Sequence, residues 1–218
     1  VTRPATNEVF WKLGATKAEA EGCRLQADGT PIMVPDDNPD PARRNPAGVL
    51  DRDGGLVAMR RVILAEDNML YRFADSRRMG TGPDAIVPVL NSPWWMEEDR
   101  MVLLLSRART AGVGLVEMAR RQLALPRDWT SCDRIVRVRP KPGVTLAAHA
   151  GPGRTAAGGA GDRRIIAREV PHLFMDQLYI PGLGWLKALN GAGPANARAW
   201  FDLGTAEAFD PGVRGLNP

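Results

Sequence analysis

Only two cysteines, Cys23 and Cys132, occur in the 218 residues, and they lie far apart in sequence. One disulfide could join them, but no disulfide framework is implied, and neither has the neighbours of a zinc site. Histidine is as scarce: His149 and His172 stand alone, so no metal site is expected. No apolar run reaches the roughly 20 residues of a membrane-spanning helix, so no membrane partner is expected. No basic-then-apolar leader opens the chain, so no signal peptide is expected. The phosphate-loop pattern with its lysine is missing, as is G-x-G-x-x-G, and Gly80-Thr81-Gly82-Pro83 therefore reads as a plain loop. The acidic stretch from Pro35 to Pro41 lacks the spacing and closing glutamate of a calcium loop and reads as a solvated connection.

What is present is a hydrophobic fraction of 44%, enough for a packed core. The 23 glycines and 18 prolines point to short elements and many loops. Net charge is +4 and the sequence pI about 9.5. The basic residues are nearly all arginine, several in pairs such as Arg60-Arg61, Arg77-Arg78 and Arg120-Arg121. That balance suits an anionic partner (nucleotide, nucleic acid or acidic protein), and equally a solvated arginine-rich surface. The chain opens on Val1 rather than methionine, as a released piece of a longer polypeptide or a processed chain would.

The sequence divides into an irregular lead-in over 1–50 and a single α+β catalytic-type domain over 51–218. Residues 16–21 read as a helical turn ended by Gly22. Leu56 to Leu64 is apolar and compatible with a strand or a helix, and Leu70 to Phe73 is rich in strand formers. Ser92 and Pro93 read as the cap and first turn of a helix running to about Thr110, with Glu97, Glu98 and Asp99 favoured by its dipole. Val113 to Leu125 has the apolar spacing of a second helix. Asp133 to Arg139 alternates apolar residues with arginine, which predicts a half-buried strand with a basic outer face. Val144 to His149 is its expected returning strand, and 151–161 a flexible glycine-rich loop. Leu173 to Ile180 is the last strong strand, and a final helix is expected around Ala195 to Phe209.

Two stretches carry chemistry. In Leu70-Tyr71-Arg72-Phe73 an arginine interrupts an apolar strand, and a buried guanidinium needs an anion: a ligand phosphate or carboxylate, or a neighbouring acid such as Asp75 or Glu97. Trp94-Trp95 serves either as a core anchor or as an apolar wall for a flat ring.

Together with Gln177-Leu178-Tyr179-Ile180-Pro181, these stretches resemble an ADP-ribosyltransferase of the bacterial-toxin type. The resemblance covers roughly Leu70 to Gly182 and implies a split β-sheet core with flanking helices. It implies an NAD-dependent glycosyltransferase acting as a toxin or effector, with NAD as substrate and cleavage at the nicotinamide ribose. Arg72 matches the strand arginine that holds a phosphate and the nicotinamide ribose. Gln177 matches the position where the family has a glutamate, which accepts a ribose hydroxyl and stabilises the oxocarbenium-like transition state. The resemblance further implies Tyr71, Ser92, Trp94, Trp95 and Tyr179 as NAD-binding residues, with Ser92 in the supporting role of the family's Ser-Thr-Ser motif, which this chain lacks. Arg72 is expected on a strand next to that of Gln177, with the residue at 177 across a cleft.

Glutamine keeps the hydrogen bond but not the charge. Three readings follow: an inactivated variant, a natural divergent member, or another acid, Asp176 or Glu169, in the role. Such a domain would be secreted or delivered into a target-cell cytoplasm, with a cognate immunity protein as partner and an acceptor that is protein, nucleic acid, small molecule or water. The competing reading is a non-enzymatic binding module for an acidic partner or nucleic acid, the latter resting on Arg134, Arg137 and Arg139.

Overall fold

The computed structural model describes residues 4–154, 156, 175–184 and 192–212. The chain is α+β: a seven-stranded antiparallel sheet carries helices on both faces. Its strands are β3 (Arg60–Leu64), β4 (Leu70–Ala74), β5 (Trp94–Glu97), β6 (Arg134–Pro140), β7 (Leu146–Pro152), β8 (Asp176–Tyr179) and β9 (Phe201–Phe209), after a small hairpin of β1 (Met33–Val34) and β2 (Val49–Leu50). Across the sheet the order is β3-β7-β8-β5-β4-β6-β9.

Strand alternation sets the two cores. Leu70 and Ala74 of β4 face one side with Val136, Val138, Trp95, Leu178 and Phe201. Covering this side are α3 (Val87–Leu90) and α6 (Ala192–Trp200). Tyr71 and Phe73 face the other side with Met96 and Ile135, under α4 (Glu98–Ala111) and α5 (Leu115–Leu123). Arg72 therefore shares its face with Leu70 and Ala74, not with Tyr71.

Strand β5 divides its pairing between its neighbours. Its last residues meet β4, Met96 opposite Tyr71 and Glu97 opposite Leu70. Its first residues meet β8, Trp94 opposite Tyr179 and Trp95 opposite Leu178. Each ladder covers only two residues, so β5 joins the two halves of the sheet through short pairings.

Several sequence expectations need correction. Ser92 and Pro93 do not open a helix. Trp94 to Glu97 is a strand, and α4 starts only at Glu98 with Glu97 at its N-cap; two bulky aromatics fit a pleated, buried strand better than a helix surface. The strand of Arg72 is not next to that of Gln177, because β5 lies between them. Val144 to His149 does not return beside β6: the observed β7 pairs with β3 and β8. Strand β6 lies between β4 and β9. Its Arg137 is paired with Glu207 at 2.7 Å, which neutralises part of the expected basic face. The final helix ends at Trp200, and Phe201 to Phe209 forms β9, where cross-strand pairing with β6 overrides helical propensity. The loop over 151–161 begins later than expected, since β7 runs to Pro152; the rest of it, apart from Gly153, Arg154 and Ala156, lies outside the described residues, as do Glu169, His172, Leu173 and Phe174.

The N-terminal segment is tied onto the sheet. Helix α1 (Glu8–Trp11) follows Asn7, which is fully buried. Asn7 Nδ2 donates to the carbonyls of Ala147 (2.8 Å) and Pro181 (3.0 Å), and its Oδ1 accepts from the Ala147 amide at 2.8 Å. Trp11 stacks on His149 with ring centroids 4.0 Å apart, and the Arg61 guanidinium lies 4.8 Å from the Trp11 centroid.

Burial, reinforced by the Lys17 charge, pushes His149 down to about 4, and its Nε2 has no hydrogen-bond partner among the described residues. The unfolded chain binds that proton near pH 6.5. The neutral ring therefore contributes fully above pH 6.5, and stability is lost as pH falls from there through 4. The expected loss is about 2 kcal/mol after discounting for partial solvation. Urea denaturation at pH 7.5 and 4.5 checks this: His149→Gln should flatten the difference, and an undiminished pH dependence in that variant counts against the assignment.

Candidate active-site cleft

A cleft of about 580 Å³ is lined by residues of β4, β5 and β8. Arg72, Ser92, Trp94, Trp95 and Gln177 all line it. Residues from the end of α5 and from the N-terminal segment close it, including Glu19 and the pair Gly54-Gly55. Tyr71 and Tyr179 do not line it. Tyr71 lies on the opposite face and donates to Glu98 Oε1 at 3.2 Å. Tyr179 is fully buried beneath Trp94, ring centroids 5.2 Å apart, and its hydroxyl donates to Glu19 Oε2.

Arg72 has no acidic partner among the described residues. Asp75, the nearest acid in sequence, is taken by the Arg77 guanidinium, which holds its carboxyl far below the usual carboxylate range. Arg72 Nη1 donates to the Val89 carbonyl at 2.5 Å. Its guanidinium lies 5.7 Å from the Trp95 ring centroid. Its Nε is buried with no hydrogen-bond partner. Burial, with a smaller push from the Arg78 charge, lowers the Arg72 guanidinium to about 9. It remains cationic at neutral pH. A second arginine on the cleft, Arg154, shows the same feature: its Nε is buried and unpartnered. Two guanidinium groups on one cleft, which the acids Glu19, Asp53, Asp75 and Asp128 also line, thus each keep an Nε without a partner among the described residues, a demand an anion would meet.

Local sequence explains how these groups are held. Ser92 is an adapter at the mouth of β5, not a helix cap. Its hydroxyl accepts from the Trp94 amide at 3.3 Å, and its carbonyl accepts from Trp95 Nε1 at 2.6 Å. Trp95 is thereby fixed in the core, 5.3 Å from Phe201, and forms the floor under Arg72. Trp94 is only partly buried and keeps surface on the cleft.

Gln177 is positioned by the end of a helix. The last carbonyls of α5 have no intrahelical donor, and Gln177 Nε2 supplies one to the Leu123 carbonyl at 3.1 Å. Its amide nitrogen also lies against Gly153, where an added Cβ would sit 2.5 Å from it. The partner is a carbonyl, so the atom facing it must be the donating nitrogen. No described residue donates to Oε1, which leaves an acceptor for a ligand hydroxyl. Of the other acids considered, Asp176 is ion-paired with Arg60 at 2.7 Å and does not line the cleft.

Glu19 was not a candidate from the sequence, where it sits in an ordinary-looking helical turn. It belongs to α2 (Gly14–Ala20), and burial pushes its carboxyl up, opposed by the Tyr179 hydrogen bond. No local pattern foretells that placement, because it depends on a contact 160 residues away in sequence. Arg154 was missed for the same reason, lying in a stretch that reads only as glycine-rich loop.

No family model, no curated protein and no solved structure matches this chain. Among the described residues no helix is long and apolar enough to cross a membrane. No group of three or more potential metal ligands occurs among them either.

Proposed function

We propose that the chain is an ADP-ribosyltransferase-like domain that binds NAD in this cleft and displaces its nicotinamide. The observation that carries the reading is Arg72: a core-strand arginine with a buried, unpartnered Nε, sharing one cleft with Gln177 and the Trp94-Trp95 pair. The division of β5 between β4 and β8 also supports it, since it sets an arginine strand and a glutamine strand on either side of β5.

In this reading Arg72 holds a phosphate of the NAD pyrophosphate, and Arg154 is a second cation lining the same cleft. Trp94 packs on the nicotinamide or its ribose. Gln177 Oε1 accepts a hydrogen bond from a ribose hydroxyl. The bond between the ribose C1′ and the nicotinamide nitrogen breaks, its electron pair leaving with nicotinamide. A nucleophile of the acceptor, or water, then bonds to C1′ and gives up a proton. The acceptor class is open, and a toxin or effector role with a cognate immunity protein follows from the resemblance alone. The binding-module alternative draws less support, because Arg137 is matched by Glu207.

The test is incubation with NAD labelled in the nicotinamide and in the adenylate. Release of the first label, with or without transfer of the second, is the expected result. Absence of release and of binding removes the reading. Gln177→Glu bears on the same site. A carboxylate there would face the Leu123 carbonyl and the negative end of α5. It is expected to cost about 1–3 kcal/mol and to bring no gain in turnover. A large gain with unchanged stability would instead identify glutamine as an inactivating replacement.

A further inference from the structure

Resting on that reading, we infer that Glu19 is the catalytic carboxylate of the cleft, taking the proton from the nucleophile that attacks C1′. The family role implied for a single glutamate is then divided in this chain. Gln177 supplies the hydrogen bond to the ribose, and Glu19 supplies the negative charge.

The geometry carries this. Residues 177 and 179 lie two apart on β8 and share a face of the sheet. Tyr179 reaches from that face to hold Glu19 Oε2, so Gln177 and Glu19 are presented on the same side of one strand. Both line the cleft that holds Arg72. No described residue donates to Glu19 Oε1. Asp75 is ion-paired with Arg77, whereas Glu19 is held by a neutral hydroxyl and has no ion-pair partner among the described residues.

Helix α2 is fixed firmly enough to position such a group. Its end is clamped by backbone packing between Gly22 and Gly54-Gly55. A Cβ on Gly55 would lie 2.2 Å from the Gly22 nitrogen, and both glycines have φ near +80°. The Leu56 amide donates to the Ala20 carbonyl at 2.7 Å, and the Asp53 amide to the Gly22 carbonyl at 2.9 Å. The sequence does its work through glycine here: only residues without a Cβ let the 53–56 segment approach α2 closely enough.

In the step, the C1′–N bond breaks and its electron pair goes to the departing nicotinamide. The acceptor oxygen or nitrogen, or a water, forms the new bond to C1′. The proton it loses passes to Glu19, while the carboxylate offsets the positive charge that builds on the ribose.

The experiment measures NAD binding by calorimetry and nicotinamide release by the full chain and its variants. Glu19→Gln keeps the shape and an oxygen for Tyr179. It is expected to bind NAD within about threefold of the unaltered chain but to lose roughly 100-fold or more in kcat. In Glu19→Ala, added formate should restore part of the lost turnover, which a purely structural role would not allow. Tyr179→Phe should lower kcat by less, with KM little changed. Turnover in Glu19→Gln within about twofold of the unaltered chain overturns this inference alone. Binding without turnover by the unaltered chain also overturns it, and leaves the NAD-binding reading standing. Absence of both binding and turnover overturns the two together.

Discussion

Replacing Arg72 with methionine is expected to leave the ligand-free chain at least as stable as before, and to abolish its stabilisation by NAD. The expectation runs against the usual outcome for a buried side chain, and the reason is electrostatic. Arg72 is a half-buried cation in a core strand, with no acidic partner among the described residues and with a buried Nε that has no hydrogen-bond partner there. A buried charge without a counter-ion costs several kcal/mol, and a well-packed apolar residue of similar volume is often neutral or better. Against that gain stands the hydrogen bond to Val89, about 1 kcal/mol. The arginine is therefore a liability to the fold unless an anion meets it.

Bound at 100 times its Kd, NAD would stabilise the intact chain by about 2.7 kcal/mol. That corresponds to a rise in Tm of roughly 5–10 °C for a chain of this size. Thermal denaturation with and without NAD should show the rise in the unaltered chain and none in Arg72→Met. Arg72→Lys should show a reduced rise, because lysine keeps the charge and loses the planar fork. A strongly destabilised Arg72→Met that still gains the full NAD shift would show that the arginine is structural and the anion site lies elsewhere.

Trp95→Ala should produce the largest loss of stability of any single change at the cleft, about 3–5 kcal/mol. Trp95 is 2% exposed, packs against Phe201, and forms the floor under the Arg72 guanidinium. It stands on the strand that joins the two halves of the sheet, so the cavity left behind lies at that junction. Urea denaturation should show a lower midpoint with an unchanged slope. Trp94→Ala should cost less, since Trp94 is only partly buried, but should weaken NAD binding if its ring packs on the ligand. Equal stability losses in the two variants would contradict the division of roles between floor and wall.

The sequence made the cleft partly legible because strand alternation is local. An arginine between Tyr71 and Phe73 in an apolar strand signals a demand for an anion before any partner is known. The pleat turns Arg72 and Tyr71 to opposite faces, but the cleft reaches both, since Phe73 and Met96 from Tyr71's face line it; Tyr71 is kept out because its hydroxyl is turned to Glu98. Strand pairing was far less legible. Nothing local distinguishes β7 returning beside β6 from β7 crossing to β3 and β8, because the choice rests on contacts between distant segments. The tryptophan pair was misread as a helix start because Ser92-Pro93 and the acids at 97–99 form a good capping pattern. The acids do serve α4, which begins four residues beyond Trp94, while Ser92 serves the strand. Glu19 and Arg154 were invisible for a deeper reason. Each acquires its place from packing against residues far along the chain, and neither sits in a motif.

The central claim is that the Arg72 cleft receives the pyrophosphate and nicotinamide ribose of NAD. A crystal structure of the chain with NAD at saturating concentration tests it most directly. The account predicts a phosphate oxygen within hydrogen-bond reach of the Arg72 guanidinium, with a ribose hydroxyl on Gln177 Oε1 and the nicotinamide ring beside Trp94. A cleft that stays empty at saturating NAD, or NAD bound away from Arg72, would contradict it.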